Sequence, residues 1–129
     1  MLNPDSVGRT FHSANPVTVT QEDISAFAQA IGEEDISVAP PTFSIRISLT
    51  QSQAILSTPE VGLDWDRLVH GDQKFELHRP IVAGDVLSCD STIESYKVVA
   101  GNEILTVRSD LTGDGKLVAS SWSTLVVRA

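Results

Sequence analysis

Cysteine occurs once in this 129-residue chain, at Cys89, and a lone thiol excludes an intramolecular disulfide framework. Histidine occurs three times, without the short spacings of a zinc site, so neither a metal nor any other cofactor is expected. Lys and Arg number nine against seventeen Asp and Glu, for a net charge of -8. Nucleic-acid affinity depends on basic side chains neutralising phosphates, so nucleic acid is excluded as the main partner. The same acidity opposes an acidic carrier protein unless basic residues gather locally; Arg46, Arg67, Lys74 and Arg79 are the candidates. No apolar run approaches membrane-spanning length, and no leader-like pattern opens the chain, so no membrane span and a cytoplasmic location are expected. Internal repeats, low-complexity tracts and linkers are also missing. With 41% hydrophobic residues, the length suits one domain over residues 1–129.

Of what is present, the first pattern is helical. Thr20 precedes Gln21, Glu22 and Asp23, an N-cap followed by early acids that complement the helix dipole. Ile24, Phe27, Ala28 and Ile31 then recur at helical spacing, which predicts a helix over residues 21–31 with Gly32 ending it. Residues 40–58 read two ways. Phe43, Ile45, Ile47 and Leu49 alternate like a strand, whereas Pro41 suits the first turn of a helix and residues 50–57 have little strand character. Downstream, alternation predicts strands over residues 73–79, 86–99, 102–112 and 117–128. Ala83-Gly84-Asp85, Ala100-Gly101 and Gly113-Asp114-Gly115 separate them. Helix first and antiparallel meander afterwards is an α+β order, with the core between one sheet face and a helix.

Three ordered segments carry a resemblance: Val38-Ala39-Pro40-Pro41-Thr42-Phe43, Val69-His70-Gly71-Asp72-Gln73-Lys74-Phe75, and His78-Arg79-Pro80-Ile81-Val82-Ala83-Gly84-Asp85-Val86-Leu87. Together they resemble the N-terminal MaoC-like, FAS1-like dehydratase domain, and most nearly the accessory subunits of actinobacterial (3R)-hydroxyacyl-ACP dehydratase. The resemblance implies a hot-dog fold, in which a long central helix, here residues 42 to about 57, is wrapped by a curved antiparallel sheet and domains join in pairs. It implies an acyl thioester on coenzyme A or acyl carrier protein as ligand, with Pro41, Thr42 and Phe43 at the substrate.

Catalytic relatives carry an aspartate and a histidine in a loop after the short helix. On that loop Glu33 stands for the aspartate, Asp35 for an asparagine, Ile36 for a proline and Val38 for the histidine. A spacer before the Ala-Pro-Pro turn is also missing, and Pro41 replaces a glycine whose N–H helps hold the thioester oxygen; proline has no N–H to give. Water elimination needs a base for the α-proton, an acid for the departing hydroxyl and donors for an enolate-like oxygen. The resemblance therefore implies a noncatalytic acyl-binding half beside a catalytic hot-dog chain in fatty-acid metabolism. Two alternatives are a stand-alone homodimer that binds acyl thioesters without turnover, and a thioesterase, since fold does not fix reaction.

His70 and His78 are candidate replacement bases, and Glu33, Glu34 and Asp35 could include a remnant one, Glu33 and His70 being the two singled out. Against this, adjacent loop acids are usually solvated and most histidines are ordinary sheet or loop residues. Cys89 alternates with Leu87, Ser91 and Ile93 and is expected inside as a small hydrophobe. Asp85 is expected to cap local amides. Trp65 and Trp122 are expected in core or interface, Trp122 on a sheet face shared with Val118, Ser120 and Val126.

Overall fold

Thr20 begins the first helix as its chemistry predicts. In the computed structural model, which describes residues 1–129, its Oγ1 accepts the Asp23 N–H at 3.1 Å. Helix α1 spans Gln21–Ile31 and buries Ile24 and Ala28, and Gly32 closes it at φ 76. A positive φ strains any residue with a Cβ, so glycine is the residue this stop requires.

Helix α2 spans Ile45–Leu56, so the helical alternative holds for the ambiguous segment. Its regular part starts three residues later than expected. Before it the chain turns tightly, with Phe43 N–H donating to Pro40 O at 2.9 Å and Ile45 N–H to Thr42 O at 3.2 Å. The buried positions explain the misleading strand pattern: Ile47, Ser48, Ser52 and Leu56 face inward. Three of these are four residues apart, yet two of the three are serines, so the buried face is not an apolar stripe.

Two short strands, β1 (Thr10–His12) and β2 (Val17–Thr18), precede the helices and were not expected; neither is long enough to show alternation. Strand β3 spans Leu68–Leu77, β4 Val86–Val99, β5 Asn102–Gly113 and β6 Lys116–Val127. The sheet order is β1-β4-β5-β6-β3, with β2 also on β4. Every pairing is antiparallel. The expected β4-β5-β6 meander is present, and β3 closes onto β6. Strand β3 begins five residues before its predicted start and ends two before its predicted end. A register shift between His70 and Asp72 breaks its alternation at Gly71, and such a bulge hides the first half of a strand from a period-two reading.

A second shift, between Leu111 and Thr112, corrects the placement of Trp122. Val118 and Ala119 are both buried in the core, so the phase of β6 changes there. Trp122 pairs with Lys74 and Arg108 across the strands, on the face opposite Leu125, and its ring carries the Lys74 ammonium 5.0 Å from the centroid. Trp65 packs against the core as expected.

Helix α2 lies on β4 and β5, a central helix enclosed by a curved antiparallel sheet, which is the hot-dog arrangement. Its core has two apolar clusters. One gathers Val19, Ile24, Phe43, Ile47, Ile81, Leu87, Cys89, Leu111 and Val118 around the start of α2. The other gathers Leu2, Leu56, Val61, Ile93, Leu105, Val107 and Leu125 around its end. Buried hydroxyls lie among the strands and α2, with Ser52 Oγ 3.4 Å from Ser109 Oγ and Ser109 Oγ 3.5 Å from Ser91 Oγ.

Candidate functional site

The loop between α1 and α2 is closed on itself. Glu33 Oε1 accepts the Asp35 N–H at 3.1 Å. Asp35 Oδ1 in turn accepts the Ser37 N–H at 2.9 Å and the Ser37 hydroxyl at 2.6 Å. Those two bonds, the hydroxyl's first, hold the Asp35 carboxyl below its usual range. Glu33, Glu34, Asp35, Ile36 and Ser37 are all exposed. The loop thus has the geometry of a local turn, with the Glu33 and Asp35 carboxylates bonded to neighbouring amides. Pro41 and Thr42 are exposed at the mouth of α2, whereas Phe43 is buried at 2% exposure and meets Phe27 edge-on, 5.5 Å between centroids.

Phe43 also lines a cavity of about 280 Å³ on the flank of α2 that faces β4. Its apolar wall is Val19, Phe43, Ile47, Leu87 and Cys89, all buried. Its mouth carries Ser13, Asn15, Asp23, Arg46, Thr50 and Gln51. Arg46 Nη1 lies 3.0 Å from Asp23 Oδ1, and the Thr20 hydroxyl, followed by Arg46, lowers the Asp23 carboxyl. Burial, the largest influence on Cys89, pushes its thiol up to about 11, so it is neither a thiolate nucleophile nor a base at neutral pH. The mouth residues carry no sequence pattern, since Ser13 and Asn15 come from the loop between β1 and β2, Asp23 from α1, and Arg46, Thr50 and Gln51 from α2; only the fold assembles them.

The other candidates lie apart from this cavity. His70 is exposed on β3, its Nε2 3.0 Å from Asp72 O, and His78 Nε2 is 3.7 Å from Glu76. His12, which the sequence did not single out, pairs with Asp90 at 2.7 Å; its side chain is 75% exposed, so nothing excludes water from it. The four basic residues do not act as one free patch. Arg46, Arg67 and Arg79 are each held by a carboxylate, from Asp23, Asp64 and Asp85, and Lys74 sits over Trp122. Asp85 caps as expected, accepting the Val82 N–H at 2.9 Å, and also takes both Arg79 nitrogens at 2.8 and 3.1 Å. No helix is long and apolar enough to cross a membrane.

Comparison with known proteins places these features. Residues 5–121 match the family model described as FAS1-like, dehydratase domain region. A UPF0336 protein of Streptomyces coelicolor is 38% identical over 144 residues, covering 99% of this chain and 96% of that one. Another, from Thermobifida fusca, is 40% identical over 144 residues, covering 98% and 94%. These aligned lengths exceed the 129 residues here, so the relatives hold segments this chain lacks. Among solved structures, the C-terminally truncated HadBC (3R-hydroxyacyl-ACP dehydratase) complex of Mycobacterium tuberculosis superposes with a TM-score of 0.86 at 26% identity, over 97% of this chain and 99% of that one. A MaoC-like dehydratase superposes with a TM-score of 0.84 at 28% identity, over 95% of this chain and 42% of that longer one. The chain belongs to the FAS1-like dehydratase domain family, as a hot-dog domain related to the hydroxyacyl-ACP dehydratases.

Proposed function

We propose that this chain is the noncatalytic acyl-binding half of a (3R)-3-hydroxyacyl-thioester dehydratase or enoyl hydratase in fatty-acid metabolism. Its ligand is an acyl thioester on coenzyme A or acyl carrier protein, and catalysis comes from a second hot-dog chain. One observation carries the reading: no free acid–base pair faces the cavity. Its titratable groups are Asp23 and Arg46, committed to each other, and Cys89, neutral at physiological pH. The loop where relatives hold their aspartate and histidine has no histidine, and its Glu33 and Asp35 are bonded to the loop's own amides. The opening of α2 presents Pro41, which cannot donate to a thioester oxygen.

The partner would dock on β3. That strand pairs with β6 alone, which leaves its other edge open along Leu68–Leu77. Val69 is 44% exposed there, Phe75 is half-buried, and the Gln73 Nε2 is buried without a partner. A long open edge is a template for a further strand. It also suits a second copy, since an antiparallel pair of identical edges is self-complementary; this supports the homodimer as the second reading.

Hydration of a trans-2-enoyl-CoA, followed by loss of the conjugated thioester's absorbance, tests the proposal. The chain alone is expected to give no turnover while binding acyl thioester saturably, and to gain activity with a catalytic hot-dog chain from its own cell. Turnover by the lone chain, abolished by Glu33→Gln or His70→Ala, would overturn it. Isolation from that cell as a homodimer only would favour the second reading.

A further inference from the structure

Strand β1 ends the sheet on the side opposite β3, and its free edge borders an open depression of about 550 Å³. Arg9, Thr10, Phe11, His12 and Ala14 all line it. Successive strand side chains point to opposite faces, so neighbours of both parities reach one hollow only where it runs along the strand's edge. The facing wall is α2, through Gln51, Ala54 and Ile55 and, just past its end, Thr58, positions that share one helix face. Phe11 and Ile55 are half-buried there. We propose that this gap between strand edge and helix takes an extended peptide segment of a partner protein, paired with β1 as one further antiparallel strand.

The backbone of β1 selects a peptide. Thr10 stands opposite Thr92, Phe11 opposite Ser91 and His12 opposite Asp90, and in the same register Ser13 N–H donates to Cys89 O at 2.9 Å. Bonded pairs alternate with unbonded ones along an antiparallel ladder, so Phe11 also bonds to β4, whereas Thr10 and His12 turn their N–H and C=O to the open side. An aliphatic chain laid there takes water from these four groups and returns no partner; a peptide backbone supplies one for each. The segment's side chains follow from the pleat. Residues opposite Thr10 and His12 point outward with them, and the residue between, opposite Phe11, points onto Phe11, Ala54 and Ile55. That middle residue is aliphatic. A charged one finds no free counter-ion, because Arg9 is already matched by Glu60 and His12 by Asp90.

Binding here does not depend on a partner at β3, since β4, β5 and β6 separate the two edges. It is tested on the purified chain without thioester or turnover, so its outcome and that of the catalytic assay are read separately. The probe is acetyl-Ser-Thr-Val-Thr-Ser-amide, titrated by NMR, and saturable shifts are expected at the Thr10 and His12 amides and at Ala54 and Ile55. Methylating both threonine nitrogens removes the N–H groups that face β1 and is expected to weaken binding at least tenfold. Methylating the valine nitrogen, which faces away from β1, is expected to leave affinity within about twofold. Ala54→Trp, at an exposed position, fills the gap and is expected to weaken the unmethylated peptide at least tenfold with the melting temperature unchanged. Thr58→Trp serves equally if that variant folds poorly. No saturable shift at Thr10 and His12, equal affinity for the doubly methylated peptide, or full affinity in both folded tryptophan variants would overturn the assignment.

Discussion

The two ends of the core solve different problems. Around the end of α2, the N-terminus is tied down: Leu2 N–H donates to Glu103 Oε1 at 2.7 Å, Asn3 N–H to Val61 O at 2.8 Å, and the Tyr96 hydroxyl to the same Glu103 oxygen at 2.8 Å. Gly62 even lacks room for a side chain, since a Cβ there would stand 2.8 Å from Met1 O. Around the start of α2, by contrast, the chain leaves a cavity, an exposed acidic loop and an open approach to Phe43. The end of α2 is tied to the N-terminus and has beside it only an open depression along Phe11, Ala54 and Ile55, whereas its start borders a more enclosed cavity.

The largest expected effect breaks this contrast directly. Leu56 is fully buried at the closed end, and Leu56→Ala is expected to cost about 2–5 kcal/mol, the range for cavities cut into packed cores. Ile47 also packs in the core, but it borders the existing cavity and has fewer neighbours to lose, so Ile47→Ala is expected at about 2 kcal/mol or less. Urea unfolding of both variants is the measurement. Equal losses would mean that the two ends are packed alike.

The same contrast marks what the sequence could disclose. Thr20, Gly32 and the β4-β5-β6 meander were legible because each is a local signal: a cap, a positive-φ stop, an alternation longer than ten residues. Helix α2 was legible through resemblance only, since Ser48 and Ser52 occupy its buried face. Bulges at Gly71 and Val118 hid the start of β3 and reversed the phase of Trp122, because one inserted residue flips every later side chain. The cavity was illegible for another reason. Phe43 was named, but Asp23, Arg46, Thr50 and Gln51 meet it through tertiary packing, and no spacing in the sequence records that meeting.

Acid sharpens the comparison at the open end. Arg79, whose two hydrogen bonds are the largest influence, holds the Asp85 carboxyl below its usual value. A depressed folded pKa contributes stability that is complete above the unfolded value, near pH 4, and is lost as the pH falls through the folded one. Asp85→Asn is expected to cost about 1–2 kcal/mol at pH 7, a charge-assisted pair discounted for the exposure of Arg79. It should also flatten the decline in stability below pH 4. An acid titration as steep in the variant as in the parent would assign that decline to other carboxylates.

Alkali acts on both ends, and the variant Tyr96→Phe separates them. Burial first, then the bond to Glu103, raises the Tyr96 phenol from 10.0 to about 12. The folded chain therefore keeps it neutral while the unfolded chain ionises it, so this stability is complete below pH 10 and is lost as the pH climbs toward 12. Cys89 follows the same sign from 9.0 toward about 11, but at the open end. Tyr96→Phe is expected to cost about 1 kcal/mol at pH 7, the net worth of one hydrogen bond, and to remove only the loss that begins near pH 10. The decline that starts near pH 9 should persist. Hydrogen exchange of the Leu2 amide reports the closed end separately: its protection should fall in Tyr96→Phe if the Tyr96–Glu103–Leu2 chain acts as one unit. Unchanged protection there would mean that Glu103 holds the N-terminus without help from the phenol.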